Sequence, residues 1–297
     1  MSATLVVPGL SDRTRGLLWG ALGVLAFSVS LPATRVALLG GMSPAFVSFG
    51  RAGVAGVLSL VVLVAWRQRW PGWRVVGRLL STSAGIVFGF PLFIGFALKR
   101  VPAAHGIVVT GLLPAMTAVF AVVRGGERPS VLFWLAALAG LGCVMAFAWV
   151  AGGGVVAPAD LLLLGAVVTG AWGYAEGAVL SRTLGAVRVI CLVLVASVPL
   201  TVPLMAWAAT SVDWGAVTPA AWLGFSYLSL VSMFAGFFAW YHGLALGGVA
   251  RVGQVQLLQP LLSLLWAGLL LGERITAAMF AVAVAVILCV AVAQRSR

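Results

Sequence analysis

Residues 97–128 read ALKRVPAAHGIVVTGLLPAMTAVFAVVRGGER, and residues 243–274 read GLALGGVARVGQVQLLQPLLSLLWAGLLLGER. Laid over each other, the two stretches put Pro114 on Pro260, Glu127 on Glu273 and Arg128 on Arg274, each pair 146 residues apart. Leu112-Leu113-Pro114 meets Leu258-Gln259-Pro260 at the same offset. Each stretch is an apolar run with one internal proline that ends in Gly-Glu-Arg at a helix boundary. The chain therefore reads as two copies of one unit, residues 1–150 and 151–297.

Composition says what that unit is made of. The 297 residues are 63% hydrophobic and 8% charged, and the mean hydropathy is +1.16. A water-soluble domain needs far more polar surface than this. A helix needs about 20 mostly apolar residues to cross the hydrocarbon core. Ten runs meet that description: 17–38, 44–65, 76–98, 103–123 and 131–150, then 160–181, 187–208, 219–241, 249–271 and 275–293. A β-barrel would instead show short alternating segments. The expectation is an all-α membrane protein of ten transmembrane helices, five per copy. Because five is odd, the second copy starts on the opposite side of the membrane, and the repeat is inverted, a common construction in secondary transporters.

The formal charge is +12, which in a soluble protein would suggest nucleic acid. Here the basic residues sit singly or in pairs at the ends of apolar runs, so their expected partners are lipid headgroups, with no nucleic acid. With the N-terminus in the cytoplasm, thirteen of the 18 Lys and Arg fall inside, Lys99, Arg100 and Arg274 fall outside, and Arg35 and Arg51 lie in the spans. Under the positive-inside rule both termini are cytoplasmic, in a bacterial inner membrane. Cys143, Cys191 and Cys289 lie in apolar runs and read as small hydrophobes, with no disulfide or metal role. No Gly-rich Lys-Ser/Thr phosphate loop or His-Glu-x-x-His pattern occurs, and Asp12, Asp160 and Asp213 lie at span boundaries. Neither an enzyme nor a cofactor is expected.

The duplicated proline and Gly-Glu-Arg resemble the drug/metabolite transporter superfamily, in its ten-helix EamA branch. The resemblance covers essentially the whole chain and is most specific in residues 98–128 and 244–274. It implies two inverted five-helix halves around a central cavity, and export of amino acids, metabolites or toxic amphiphiles. Within that branch the chain resembles the exporters of aromatic amino acids and related compounds.

Glu176 is the leading site candidate, in Ala171-Trp172-Gly173-Tyr174-Ala175-Glu176-Gly177 of the sixth span. An intramembrane carboxylate must face a wet cavity, be protonated, or be paired. The local Ala-Glu also resembles the proton-binding glutamate of the small multidrug relatives, which makes protons possible partners alongside a small-molecule substrate. Trp172 and Thr169 share its helix face by spacing, and an aromatic wall beside a carboxylate suits a cationic or amphiphilic solute. Tyr174 points elsewhere. The alternative is a structural ion pair of Glu176 with Arg51 or Arg35. Arg51 is equally open to binding a substrate carboxylate or to snorkelling, seven residues from Pro44. Gln256, Gln259 and Ser263 form one polar stripe around Pro260, with Gln254 nearby, suited to line a pathway or to bond neighbouring helices. Pro114 and Pro260 are helix-break and gating candidates, since each frees a carbonyl one turn back. Tyr241 is a cavity candidate more in keeping with packing. His105 and His242 read as interfacial, and Glu127 and Glu273 as caps of the helices that follow them. A secondary exporter is thus weighed against a passive channel and against a membrane scaffold without transport.

Overall fold

A computed structural model describes residues 11–68, 70–125, 130–151, 153–154, 156–247 and 252–295. Helices account for the spans expected from the sequence. They are α1 (Asp12–Leu39), α2 (Pro44–Ala65), α3 (Trp73–Leu98) and α4, in pieces Ala103–Thr110 and Leu113–Gly125, then α5 (Val131–Ala151). The second half has α6 (Pro158–Leu184), α7 (Ala186–Ala209), α8 (Pro219–Gly243), α9, which runs through Gly253–Leu258 and Gln259–Leu271, and α10 (Ala277–Arg295). The first eight are long and apolar enough to cross a membrane, and the last two carry shorter apolar stretches, Val255–Leu271 and Ala277–Ala293. The chain is a multi-pass membrane protein.

Local chemistry sets the helix ends. Ser43 and Thr218 accept from the backbone N–H groups of Phe46 and Ala221, each followed by a proline at the first helical position. Gly185 alone separates α6 from α7, and its φ of +85° is a conformation that costs a side-chain-bearing residue strain.

Prolines set the breaks. A helical proline removes its own N–H and presses on the carbonyl four residues back. Pro32 acts on Ser28, where α1 divides into Asp12–Ser28 and Ser30–Leu39. Pro114 acts on Thr110, the last residue of the first piece of α4. Pro260 acts on Gln256, inside the tighter 3₁₀ turn of α9. Pro91 acts on Val87, inside the widened π-turn Ala84–Gly89 of α3.

Packing exchanges the two halves. The helix α1 packs on α8 and α6 on α3, so the first helix of each copy lies against the third of the other. The pairs α2 with α7, α4 with α9 and α5 with α10 each join equivalent helices. This is the inverted repeat expressed as contacts. The outward faces are apolar, as in the row Leu18, Leu22 and Leu25 of α1, all exposed. Exposed tryptophans mark both rims, with Trp66, Trp70 and Trp73 at one and Trp207, Trp214 and Trp222 at the other. Such a belt suits the headgroup region.

Candidate functional site

The broken helices meet at the centre. A cavity lies between α4 and α9, walled by Thr110, Pro114, Gln256, Gln259, Pro260 and Ser263. The polar stripe of α9 therefore lines a cavity, together with both repeated prolines. A second cavity is walled by Arg51, Tyr174, Ser30, Ser232 and the rings of Phe27 and Phe237, among others. Leu31, Leu113 and Gln259 belong to both walls, so the two spaces adjoin. The side-chain Oε1 of Gln259 is buried without a hydrogen-bond partner. The side chain of Gln254 lies outside the described ones.

Arg51 is 7% exposed and does not snorkel. Its helix face is turned inward by the contacts of α2 with α7 and with the π-turn of α8. Its Nη2 donates to Ser232 Oγ at 3.3 Å and to Met233 Sδ at 3.5 Å, while Nε is buried without a partner. Ser232 Oγ also bonds Ser30 Oγ at 2.8 Å, which ties the break in α1 to the π-turn Tyr227–Ala235.

Glu176 is 1% exposed and lies in the last third of α6, beside the second turn of α3. The partner in the alternative ion-pair reading is neither Arg51 nor Arg35 but Arg78, whose Nη2 stands 3.3 Å from Oε2. The helix α3 starts at Trp73, three residues earlier than the sequence suggested, and Arg78 stands in its second turn, facing α6. Arg35 instead donates to the carbonyl oxygen of Leu98. Trp172 and Thr169 do share the face of Glu176, but that face packs on α3. The indole Nε1 of Trp172 donates to Ser81 Oγ at 3.0 Å, and Thr169 Oγ1 donates to Gly165 O at 2.8 Å, its side chain seated on Gly89. The wall that α6 gives to the cavity is Gly170 and Tyr174. Tyr241 is buried in the apolar core, its ring 5.9 Å from that of Phe237, and it stands on neither cavity wall.

Two residues read as peripheral prove to be fixed structural ties. His105 is buried, not interfacial: its Nε2 lies 2.6 Å from Asp160 Oδ1, beside the ring of Phe147. The other oxygen of Asp160 accepts from the backbone N–H of Ala157 at 3.0 Å. His242 packs edge-on against Trp19. Glu273 caps not the helix that follows it but α4, in the other half. Its two oxygens accept from the N–H groups of Ala103 and Ala104 at 2.8 and 2.7 Å, a fitting place for an anion at a helix start. Glu127 lies outside the described residues.

Sequence reasoning missed Arg78, Tyr174, Ser30 and Ser232. The usable signal was Tyr174 standing one turn from Gly170, a stripe of its own on α6.

Comparison with known proteins covers both halves. The sequence model of the EamA-like transporter family matches residues 14–149 and again residues 157–294. A Bacillus subtilis (strain 168) protein that bears the name uncharacterized transporter YdeK is 47% identical over 286 residues, covering 96% of this chain and 99% of that one. A solved crystal structure superposes with a TM-score of 0.65 at 23% identity, over 95% of this chain and 98% of the other, a likeness of fold.

Proposed function

Because the chain belongs to the EamA-like transporter family, we propose that it is a secondary transporter that exports amino acids and related small metabolites or amphiphiles by alternating access. In this reading residues 1–150 and 151–297 are the two units that rock against each other, both termini are cytoplasmic, and the membrane is the bacterial inner membrane. The substrate passes unchanged, so the chain acts as a transporter and not as an enzyme.

One observation carries the reading. Two helices of opposite origin, α4 and α9, are broken at repeat-equivalent prolines, and the breaks face each other across a cavity lined by Gln256, Gln259 and Ser263. Irregular backbone at membrane depth is tolerated where it lines a cavity, and transporters place their sites at such broken helices. Pro114 and Pro260 are then the flexing points, and Arg51 with the glutamine stripe contacts substrate. Glu176 exchanges a proton in step with substrate movement, while Trp172, Thr169 and Tyr241 hold α6 in place.

Reconstitution tests this directly. Proteoliposomes with an imposed pH gradient should accumulate labelled amino acid against its concentration difference, and unlabelled substrate on the far side should accelerate exchange. Flux that only equilibrates, with no acceleration by counter-substrate, assigns a passive channel instead. Absence of flux for every amino acid tried removes the reading.

A further inference from the structure

Arg51 is the element of the cavity that polarity alone does not explain. A guanidinium stays charged in proteins, and burying a charge is costly unless it is paired. Arg51 is 7% exposed, yet its described hydrogen-bond partners are a serine and a methionine. Among the described residues the ion pairs are Arg15 with Asp12, Arg78 with Glu176 and His105 with Asp160, so no described carboxylate stands within 4 Å of Arg51. Its buried Nε has no partner.

The rest of the wall is neutral. Ser30, Tyr174, Ser232 and Gln259 supply hydroxyls and an amide, and Phe27, Phe90 and Phe237 supply apolar surface. None of the described lining residues is acidic. Glu176 is two residues from Tyr174 but belongs to the face of α6 that packs on α3.

We infer that Arg51 seats the carboxylate of the substrate, and that among the solutes proposed above the cavity prefers amphiphilic monocarboxylates, with an apolar or aromatic body and no ammonium, over zwitterionic amino acids and amines. The inference rests on the transport reading above, in taking this cavity as the substrate's place. The charge balance supplies the selection. A monocarboxylate on Arg51 leaves the occupied cavity neutral. A zwitterion leaves a net positive charge, with only neutral acceptors such as Gln259 Oε1 for its ammonium. An amine without a carboxylate adds a second positive charge to the first. In a medium of low dielectric that order of cost is the order of affinity, weakest last.

Three probes with one ring and nearly one length separate these cases: 3-phenylpropionate, phenylalanine and phenethylamine. Binding of each is measured on the full chain in nanodiscs, by direct titration and by the shift in unfolding temperature. The expected order is 3-phenylpropionate first, phenylalanine weaker by about tenfold because its ammonium is buried without an anionic partner, and phenethylamine weakest because it also lacks the carboxylate for Arg51. Arg51→Lys should keep the order. Arg51→Gln should weaken 3-phenylpropionate by about tenfold or more and erase its lead. Phenethylamine binding as well as 3-phenylpropionate overturns the inference. So does an Arg51→Gln protein with unchanged preference, or no binding of any probe up to millimolar concentration. If Arg51→Gln does not fold, the wild-type order decides by itself. A protein that binds 3-phenylpropionate through Arg51 but moves no solute fails the transport reading and not this one. A protein that transports amino acids with no Arg51-dependent preference fails only this one.

Discussion

Two backbone irregularities recur in both halves while the polar groups around them differ, and the break of α1 has no counterpart in α6. The second piece of α4 begins at Leu113 and the second piece of α9 at Gln259, which are repeat partners. The π-turn of α3 ends at Gly89 and that of α8 at Ala235, again partners at an offset of 146. At that offset Thr110 faces Gln256, Leu113 faces Gln259, Arg51 faces Ser197 and Ser30 faces Glu176. The breaks of α4 and α9 repeat because each half keeps the proline that dictates them through sterics, Pro114 and Pro260. Polar groups do not repeat, because nothing in the helix path requires them. The result is a cavity with its cation from the first half and its amide stripe from the second. An alternating gate needs the backbone symmetry, whereas binding one substrate needs the asymmetry.

The largest expected effect is at Glu176, which has a serine as its repeat partner. Glu176→Gln keeps the size of the side chain and cannot release a proton. It is expected to abolish gradient-driven flux in proteoliposomes while substrate exchange persists. Unfolding should not confuse the result, since the side chain of Arg78 is 41% exposed and can hydrate when its partner is neutral. Arg78→Gln should lower the unfolding temperature more, because it withdraws a cation from a carboxylate that is 1% exposed. Unchanged coupling in Glu176→Gln would mean that the difference between the halves at this position serves packing.

Next in size is Glu273, which ties the halves together at the rim opposite the N-terminus. Glu273→Ala strands two N–H groups at the start of α4. Two charge-assisted bonds at a partly hydrated helix end are worth about 2–3 kcal/mol together. The unfolding temperature should fall accordingly, with Glu273→Gln losing about half as much, since an amide keeps one acceptor. A fall of the same size in both variants would show that the negative charge, and not the pair of bonds, matters. Glu127→Ala measured beside it reports whether the repeated glutamates contribute equally.

The fold was legible because its signals are local. Apolar length gave the spans, the repeated proline gave the breaks, and an odd helix count gave the inversion. The site was legible in part. Helical spacing groups Gln256, Gln259 and Ser263 because it says which residues share a face, and all three line the cavity between α4 and α9. It does not say what that face meets, and so Trp172 and Thr169, grouped with Glu176, turned out to pack on α3. Partners across helices were the least legible. Arg78 with Glu176, His105 with Asp160 and Glu273 with Ala103 span 55 to 170 residues of chain. No periodicity encodes which two helices will touch.

The smallest effects come from converting the polar stripe of the second half into its first-half counterpart, one residue at a time. The set is Gln256→Thr, Gln259→Leu and Ser263→Thr, each matching the residue 146 positions earlier. Gln259 stands on both cavity walls, so Gln259→Leu should reduce flux most, by about fivefold for the loss of one neutral hydrogen bond to substrate. Gln256→Thr exchanges an amide for a hydroxyl and Ser263→Thr keeps one, so both should stay within about twofold. Stability should move the other way at Gln259. Its Oε1 is buried without a partner, and replacing an unsatisfied polar group by an apolar one of similar size removes a desolvation cost. The unfolding temperature of Gln259→Leu should therefore rise while transport falls. That opposition is what a binding residue shows and a packing residue does not. A variant that loses stability and flux together would place Gln259 in the helix contacts of α9, and the two halves would then differ in packing alone.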